Sequence, residues 1–150
     1  MAEVINFYSA EKKYGEFSNF AEYPITIEGQ QFPTSEHYFQ AMKYCHIASR
    51  FRAICEAATP GIAATMGRNR AFPLREDWES VKDEIMMVAL RAKFTQHPVL
   101  RRLLSSTGDA KLVEHTKNDR YWGDGGDGSG RNMLGISLMK IREELKSGEI

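Results

Sequence analysis

A chain of 150 residues, 42% hydrophobic and 27% charged, is long enough for one domain with a packed core and too short for two comfortable ones. Lys and Arg total 20 and so do Asp and Glu, so no bulk field draws the chain to nucleic acid or an anionic membrane, and any such contact needs a local patch. The opening MAEVINFYSAEKK lacks a basic stretch followed by an apolar run, and nothing approaches the ~20 apolar residues of a membrane span, so the expected location is cytoplasmic, with no membrane partner.

In chain order, VINFY and PITI read as short strands, with EGQQ as the turn before QFPTSEHYF. A helix is predicted from about Thr34, capped by Thr34 or Ser35, with Glu36 in its first turn. Tyr38, Met42 and Cys45 make its apolar stripe, while Glu36, Gln40 and Lys43 line up at i, i+4 and i+7 on a neighbouring polar face. A second helix is predicted over Ala48–Ala58, and a third from Pro60 to the Gly67-Arg68 pair. The longest starts at Trp78, follows Val81, Ile85, Val88 or Ala89, and Ala92, and stops before Pro98. Val99–Leu104 forms a shorter helix, KLVEHT a strand, and Leu134, Leu138, Ile141 and Leu145 mark a closing helix. The sum is α+β: a single helix-rich domain over residues 1–150 with a small β-sheet. Cys45 and Cys55 suit neither a disulfide framework nor a zinc site and read as packing thiols, and His37, His46, His97 and His115 are scattered, so neither metal nor organic cofactor is expected.

The segment Asp119–Arg131, DRYWGDGGDGSGR, departs furthest from ordinary globular sequence, with five glycines and three aspartates behind a Tyr-Trp pair. So many glycines either leave a loop floppy or let backbone approach a ligand closely. Gly123, Gly125 and Gly128 satisfy G-x-G-x-x-G, yet the chain ends before the second strand that a dinucleotide fold requires. A P-loop needs Gly-Lys before Ser or Thr, and Ser129 follows Gly128 directly. An EF-hand fails because Gly130, Gly135 or Leu138 falls where its bidentate Glu belongs. What survives is a loop feeding a helix N-terminus near Asn132, whose N–H groups can receive an anion or a sugar hydroxyl, or a surface loop capped by Asn132.

The blocks GEFSNFAEYPI, FPTSEHYFQAMK, MGRNR, DWESVKDEIM and LVEHTKNDRYWGDGGDGSGRNMLGISLMKIREEL, in that order over nearly the whole chain, resemble the YbiA-like, or NADAR, family of N-glycosidases. The resemblance implies the family's fold and hydrolysis of a C–N bond joining ribose to a base-like leaving group. Two substrate classes go with it. One is the phosphoribosylated aminopyrimidine intermediates of riboflavin synthesis, whose cleavage disposes of reactive amines and releases ribose 5-phosphate. The other is ADP-ribose on a nucleobase, the only case in which nucleic acid is a partner. Neutral net charge favours the first. A non-catalytic module that binds ADP-ribose or a related nucleotide is the alternative from another class.

Cleavage through an oxocarbenium-like state needs negative charge near the anomeric carbon, an activated water and a group that protonates or holds the leaving nitrogen. Glu36, expected to be held ionised by the helix dipole, is the first choice for the water through the pattern SEHYFQ; alone, such a glutamate merely stabilises a helix N-terminus. Asp119 is the candidate partner carboxylate or ribose ligand, with Asp124 its competitor, although aspartates beside glycines also shape turns. Trp78 and Trp122 match family site positions and are expected to border the pocket, one stacking on the base for ~1–3 kcal/mol, with core burial the rival role. Lys43, Arg68, Arg70 and Lys82 are candidates for a phosphate, Asn19 and Asn132 for ribose hydroxyls, and Gly123 for a close-fitting wall.

Overall fold

A computed structural model describes residues 3–150. Its elements in chain order are β1 (Val4–Phe7), a 3-10 turn over Gly15–Phe17, β2 (Ile25–Ile27), β3 (Gln30–Phe32), α1 (Ser35–Met42), α2 (Ala48–Cys55), α3 (Pro60–Gly67), α4 (Trp78–Gln96), α5 (Pro98–Ser106), β4 (Lys111–Glu114) and α6 (Met133–Ser147). The fold is helix-rich α+β. Two compact units make it up, Met1–Ala21 with Phe94–Ile150, and Glu22–Lys93. In place of one small sheet, each unit holds one two-stranded pair.

In the first unit β1 and β4 run parallel, from Val4↔Lys111 to Phe7↔Glu114. The alternation of β1 turns Ile5 and Phe7 inward and leaves Val4 and Asn6 out. Phe7 meets Phe17 edge-on at 5.6 Å, and Phe17 also packs against Tyr14 and Phe94, so the 3-10 turn is anchored by its one aromatic. Helices α5 and α6 close this core with Leu100, Leu104, Leu134, Leu138 and Ile141, at the three- and four-residue spacing of an amphipathic face.

In the second unit β2 and β3 pair antiparallel across Glu28 and Gly29, both at positive φ (52° and 80°). Two left-handed residues in succession give the tight turn whose twist suits the flanking strands. Thr34 caps α1: its Oγ1 accepts from the His37 N–H at 3.1 Å and lies 2.8 Å from His37 Nδ1. His37 Nε2 is 2.9 Å from the Ala57 carbonyl, which only accepts, so Nε2 carries the proton and Nδ1 takes the Thr34 O–H. Helix α1 packs on α2 and α3, and its residues Ser35 through Ala41 are all buried. A cluster of Ala41, Tyr44, Ile54 and Ala63 fills the space between the three helices.

The predicted apolar stripe breaks at Cys45. Helix α1 ends at Met42, and the Lys43 and Tyr44 N–H groups turn to the i−3 carbonyls of Gln40 and Ala41. This tighter turn carries Tyr44 into the core and leaves Cys45 exposed, so Cys45 is no packing thiol. Arg75 then ties the end of α1 to the start of α4. Its N–H donates to the Lys43 carbonyl at 3.0 Å, and its guanidinium grips Asp77 at 2.6 and 3.1 Å and reaches Cys45 Sγ at 3.3 Å. That fork holds the Asp77 carboxyl below the usual carboxylate range.

Thr34→Ala removes the cap and leaves His37 Nδ1 without its donor inside the unit. It should lower unfolding free energy by about 2–3 kcal/mol in urea denaturation, and Thr34→Ser by less than about 1 kcal/mol. Equal losses in the two variants would rule out the hydroxyl as the cause.

Candidate active site

Sequence spacing puts Glu36, Gln40 and Lys43 on one face of α1, and the fold buries that face: the three residues are 8%, 6% and 8% exposed. Gln40 Nε2 donates to Glu36 Oε2 at 2.7 Å, so the carboxylate is held by a neutral amide one turn along the same helix. Lys43 lies over two rings, its Nζ 5.6 Å from the centroid of Phe39 and 5.8 Å from that of Trp78. Those rings meet edge-on at 5.1 Å, and Trp78 is only 5% exposed. Trp78 is therefore packed, the rival role expected of it, and its π-face also lines the seat of a buried cation.

Burial lowers the Lys43 pKa to about 8; Glu36 pulls it up, and repulsion from Arg70, Arg68 and Lys82 adds to the fall. The same repulsions show four cations sharing one region with the Glu36 carboxylate. Arg70 is committed to the end of α3, where Nη1 donates to the Gly67 carbonyl at 2.7 Å and to Tyr44 Oη at 3.1 Å. Arg68 is exposed and reaches only Thr65 Oγ1, at a long 3.4 Å. Lys82 pairs with Glu79 at 2.7 Å, but the carboxylate is far more exposed than the lysine, so the pair constrains Lys82 weakly. An anion held here would relieve the repulsion among these cations, and the carboxylate beside them is placed to accept a proton.

The glycine loop belongs to the first unit and is bound mostly to itself. Asp119 Oδ1 accepts from the Tyr121 and Trp122 N–H groups at 2.9 and 2.8 Å, a turn that presents the Tyr-Trp pair, while Oδ2 takes no part in it. Asp124 Oδ1 accepts from Thr116 and Gly126, and Oδ2 lies 2.7 Å from His115 Nδ1. Burial raises the Asp124 pKa, but the bonds from His115, Gly126 and Thr116 outweigh it and hold the carboxyl below the usual range. A Cβ on Gly123 would sit 2.7 Å from the Thr116 methyl and 2.8 Å from the Asp119 carbonyl, so the close approach is between two stretches of the loop itself. Trp122 is half-buried and meets Tyr121 edge-on, and the Arg131 guanidinium lies 4.9 Å from the Tyr121 ring centroid.

Two expectations for the start of α6 are corrected. Asn132 does not cap the helix with its side chain; it sits at φ 54° and spends its amide on β4, with Nδ2 donating to Leu112 O at 2.9 Å and Oδ1 accepting from Glu114 N at 3.0 Å. Nor are the first N–H groups open to an anion, since those of Met133 and Leu134 donate to the carbonyls of Tyr121 and Trp122. The loop folds back over the helix end and satisfies it. Asp124 and Asn132 line an open cavity of about 310 Å³ with Asn6, Lys111 and Arg131. Asn19, also of the first unit, is buried at the turn before Ala21. His115 was the partner that sequence did not single out; its only signal is its place at the end of β4. Among the described residues no group of three or more His, Cys, Asp or Glu could hold a metal ion.

The NADAR domain family matches residues 6–146. N-glycosidase YbiA of Escherichia coli (strain K12) is 57% identical over 143 residues, covering 95% of this chain and 88% of that protein. A riboflavin biosynthesis protein of Vibrio vulnificus (strain YJ016) is 39% identical over 146 residues, 97% of this chain and 40% of that longer protein. The NMR structure of E. coli YbiA is similar with a TM-score of 0.91 at 54% identity, over 99% of this chain and 89% of that one.

Lys43 links the cluster to stability. Its folded pKa of about 8 lies below the ordinary 10.5, so between these values the unfolded chain binds more protons and stability rises with pH. Lys43→Met should therefore be more stable than the parent at pH 7, with a gap that narrows from pH 8 toward 10.5, as read by urea denaturation at each pH. A less stable variant with a pH-independent deficit would contradict this.

Proposed function

The chain belongs to the NADAR family, and we propose that it hydrolyses the C–N bond between ribose 5-phosphate and an aminopyrimidine of the riboflavin-synthesis type, with Glu36 activating the water. It is a hydrolase acting on N-glycosyl bonds. The observation that carries the reading is the α1 face: a buried carboxylate, held by Gln40 at 2.7 Å, beside a buried lysine and three further cations. A phosphorylated sugar presents the matching pattern, a dianion a few bonds from a carbon that turns electrophilic as the base departs. The name of the Vibrio relative supports the riboflavin branch.

In this mechanism Glu36 accepts a proton from water as its oxygen bonds to the ribose C1′, and the C1′–N bond breaks with its electron pair passing to the nitrogen, which takes a proton from solvent as it leaves while Glu36 returns its own to solvent. The carboxylate's charge also stabilises the oxocarbenium character at C1′. Lys43, Arg68 and Lys82 hold the phosphate, and Trp78 keeps Lys43 in place. For the first unit, taken by itself, Trp122 is proposed as an aromatic face and Asp119, through Oδ2, as a carboxylate for substrate, on the family resemblance. Asn19, Gly123, Asp124 and Asn132 are the further substrate contacts proposed for that unit, with Asp124 and Asn132 the weakest because their polar atoms already hold the loop. Among the described residues no helix is long and apolar enough to cross a membrane, and the setting proposed is the cytoplasm.

Purified protein incubated with a phosphoribosylaminopyrimidine should release ribose 5-phosphate. Glu36→Gln should lose roughly 10²–10⁴-fold in kcat while its Kd for the substrate stays near parental. Release of ADP-ribose from ADP-ribosylated guanine DNA, with the aminopyrimidine untouched, would shift the assignment to the second substrate class. Tight binding without turnover of either would remove the hydrolase reading.

Phosphate binding by Lys43 has its own signature. The lysine is charged below about pH 8 and neutral above it, so kcat/KM should fall as pH rises through that value. Lys43→Met should raise KM and flatten this alkaline limb. A limb unchanged in the variant would assign it to another group.

A further inference from the structure

We propose that Gln40 is a positioning residue for the reaction, fixing the Glu36 carboxylate in place through its Nε2–H and seated for that task by the missing side chain of Gly67. The inference rests on Glu36 being the group that activates water.

Gln40 is 6% exposed, and its two amide atoms fare differently. Nε2 donates to Glu36 Oε2 at 2.7 Å, whereas Oε1 is buried and accepts no hydrogen bond. A buried carbonyl left in that state costs stability that a leucine in the same place would not. What the arrangement provides is orientation. Turning the amide over would set Oε1 against Glu36 Oε2, a repulsion while the carboxylate is ionised, so the observed orientation is the one that serves the charged form.

The seat is built by α3. A Cβ on Gly67 would fall on Gln40 Oε1 and lie 2.6 Å from Cδ, so the amide occupies the space where any other residue would have its side chain. Gly67 is itself pinned, its carbonyl accepting from Tyr44 Oη at 3.0 Å and Arg70 Nη1 at 2.7 Å. From Arg70 through Gly67 and Gln40 to Glu36 there is thus one continuous chain of contacts. Next along α1 is Lys43, on which Glu36 acts with Arg70 and Arg68 after α3 and Lys82 of α4, the last paired with Glu79 at 2.7 Å. Arg50 of α2 is spent on the Met66 carbonyl at 3.0 Å, and His37 on Thr34 and Ala57. Gln40 is the neutral donor among them, so its loss alters the hold on Glu36 without altering net charge.

The test uses Gln40→Leu, Gln40→Glu and Gly67→Ala beside Glu36→Gln, each checked for folding by thermal unfolding. Gln40→Leu should lose roughly tenfold to a hundredfold in kcat with KM within about threefold, and the acid limb of kcat/KM should move up by about one pH unit, since the ionised Glu36 loses the Gln40 amide bond. Gln40→Glu should move that limb further by setting a second carboxylate against the first. Gly67→Ala, which evicts the amide and leaves Gln40 in the chain, should reproduce both signatures and decides the matter if Gln40→Leu does not fold. A parental kcat and acid limb in folded Gln40→Leu, or in folded Gly67→Ala where Gln40→Leu fails, overturns the role of Gln40 if Glu36→Gln is inactive. An active Glu36→Gln overturns the reading of Glu36 and this inference with it.

Discussion

Helix α1 is enclosed by protein from Ser35 to Ala41, and its polar side chains must find their partners inside. Burying an unpaired polar group costs a few kcal/mol and burying a lone charge more, so each group on this helix has to be met in turn. His37 is met by Thr34 and the Ala57 carbonyl, and Glu36 by Gln40. Lys43 is met by two aromatic faces and by the field of Glu36, yet burial and three neighbouring cations still leave it easier to discharge than a lysine in water. A helix whose only task was packing would carry apolar residues here. Titratable groups kept in such surroundings are the ordinary mark of a chemical site.

The end of α3 explains why the cations around Lys43 are not equivalent. Its last carbonyls carry the negative end of the helix dipole, and the donors near them are drawn in: Arg50 to Met66, and Arg70 with Tyr44 to Gly67. Arg50 is further fixed by stacking on Phe72, its guanidinium carbon 4.1 Å from the ring centroid. These residues hold the helix end, and that helix end carries Gly67. The Arg68 guanidinium lies outside this network, with one long bond to Thr65 among the described residues, so it can turn to an anion at little cost. A fixed cation thus contributes field at Lys43, and an adaptable one contributes contact.

What could be read from sequence was local. Thr34 announces its cap, Pro60 its first turn, Pro98 the stop of α4 and the apolar repeat of α4 its length, because each signal lies within a few residues of its effect. The pairing of β1 with β4 was not legible, since Val4 and Lys111 are brought together by the whole intervening chain. Strand β3 was hidden by its brevity and by Pro33 directly after it. The i, i+4, i+7 stripe of Glu36, Gln40 and Lys43 was visible as a line, but spacing says nothing of what covers it, and a polar stripe is normally a solvated one. The family resemblance, rather than periodicity, singled out Glu36. Lys93 left no signal at all: a lysine on a long amphipathic helix reads as exposed, yet it is fully buried beside Tyr23.

The difference between the glycine loop and the α1 face lies in what their carboxylates are bonded to. Asp119, Asp124 and Asp127 accept from backbone N–H groups two, three or eight residues away, bonds that exist because the loop is bent and that keep it bent. The oxygens that accept these bonds shape the turn, and a backbone donor cannot move aside without unfolding the turn it closes. The bond from Gln40 to Glu36 comes from a side chain, which can rotate while the helix beneath it stays intact. A group that must take up a proton and return it in each turnover needs a partner of that second kind. Under the proposed mechanism the proton traffic therefore belongs on α1.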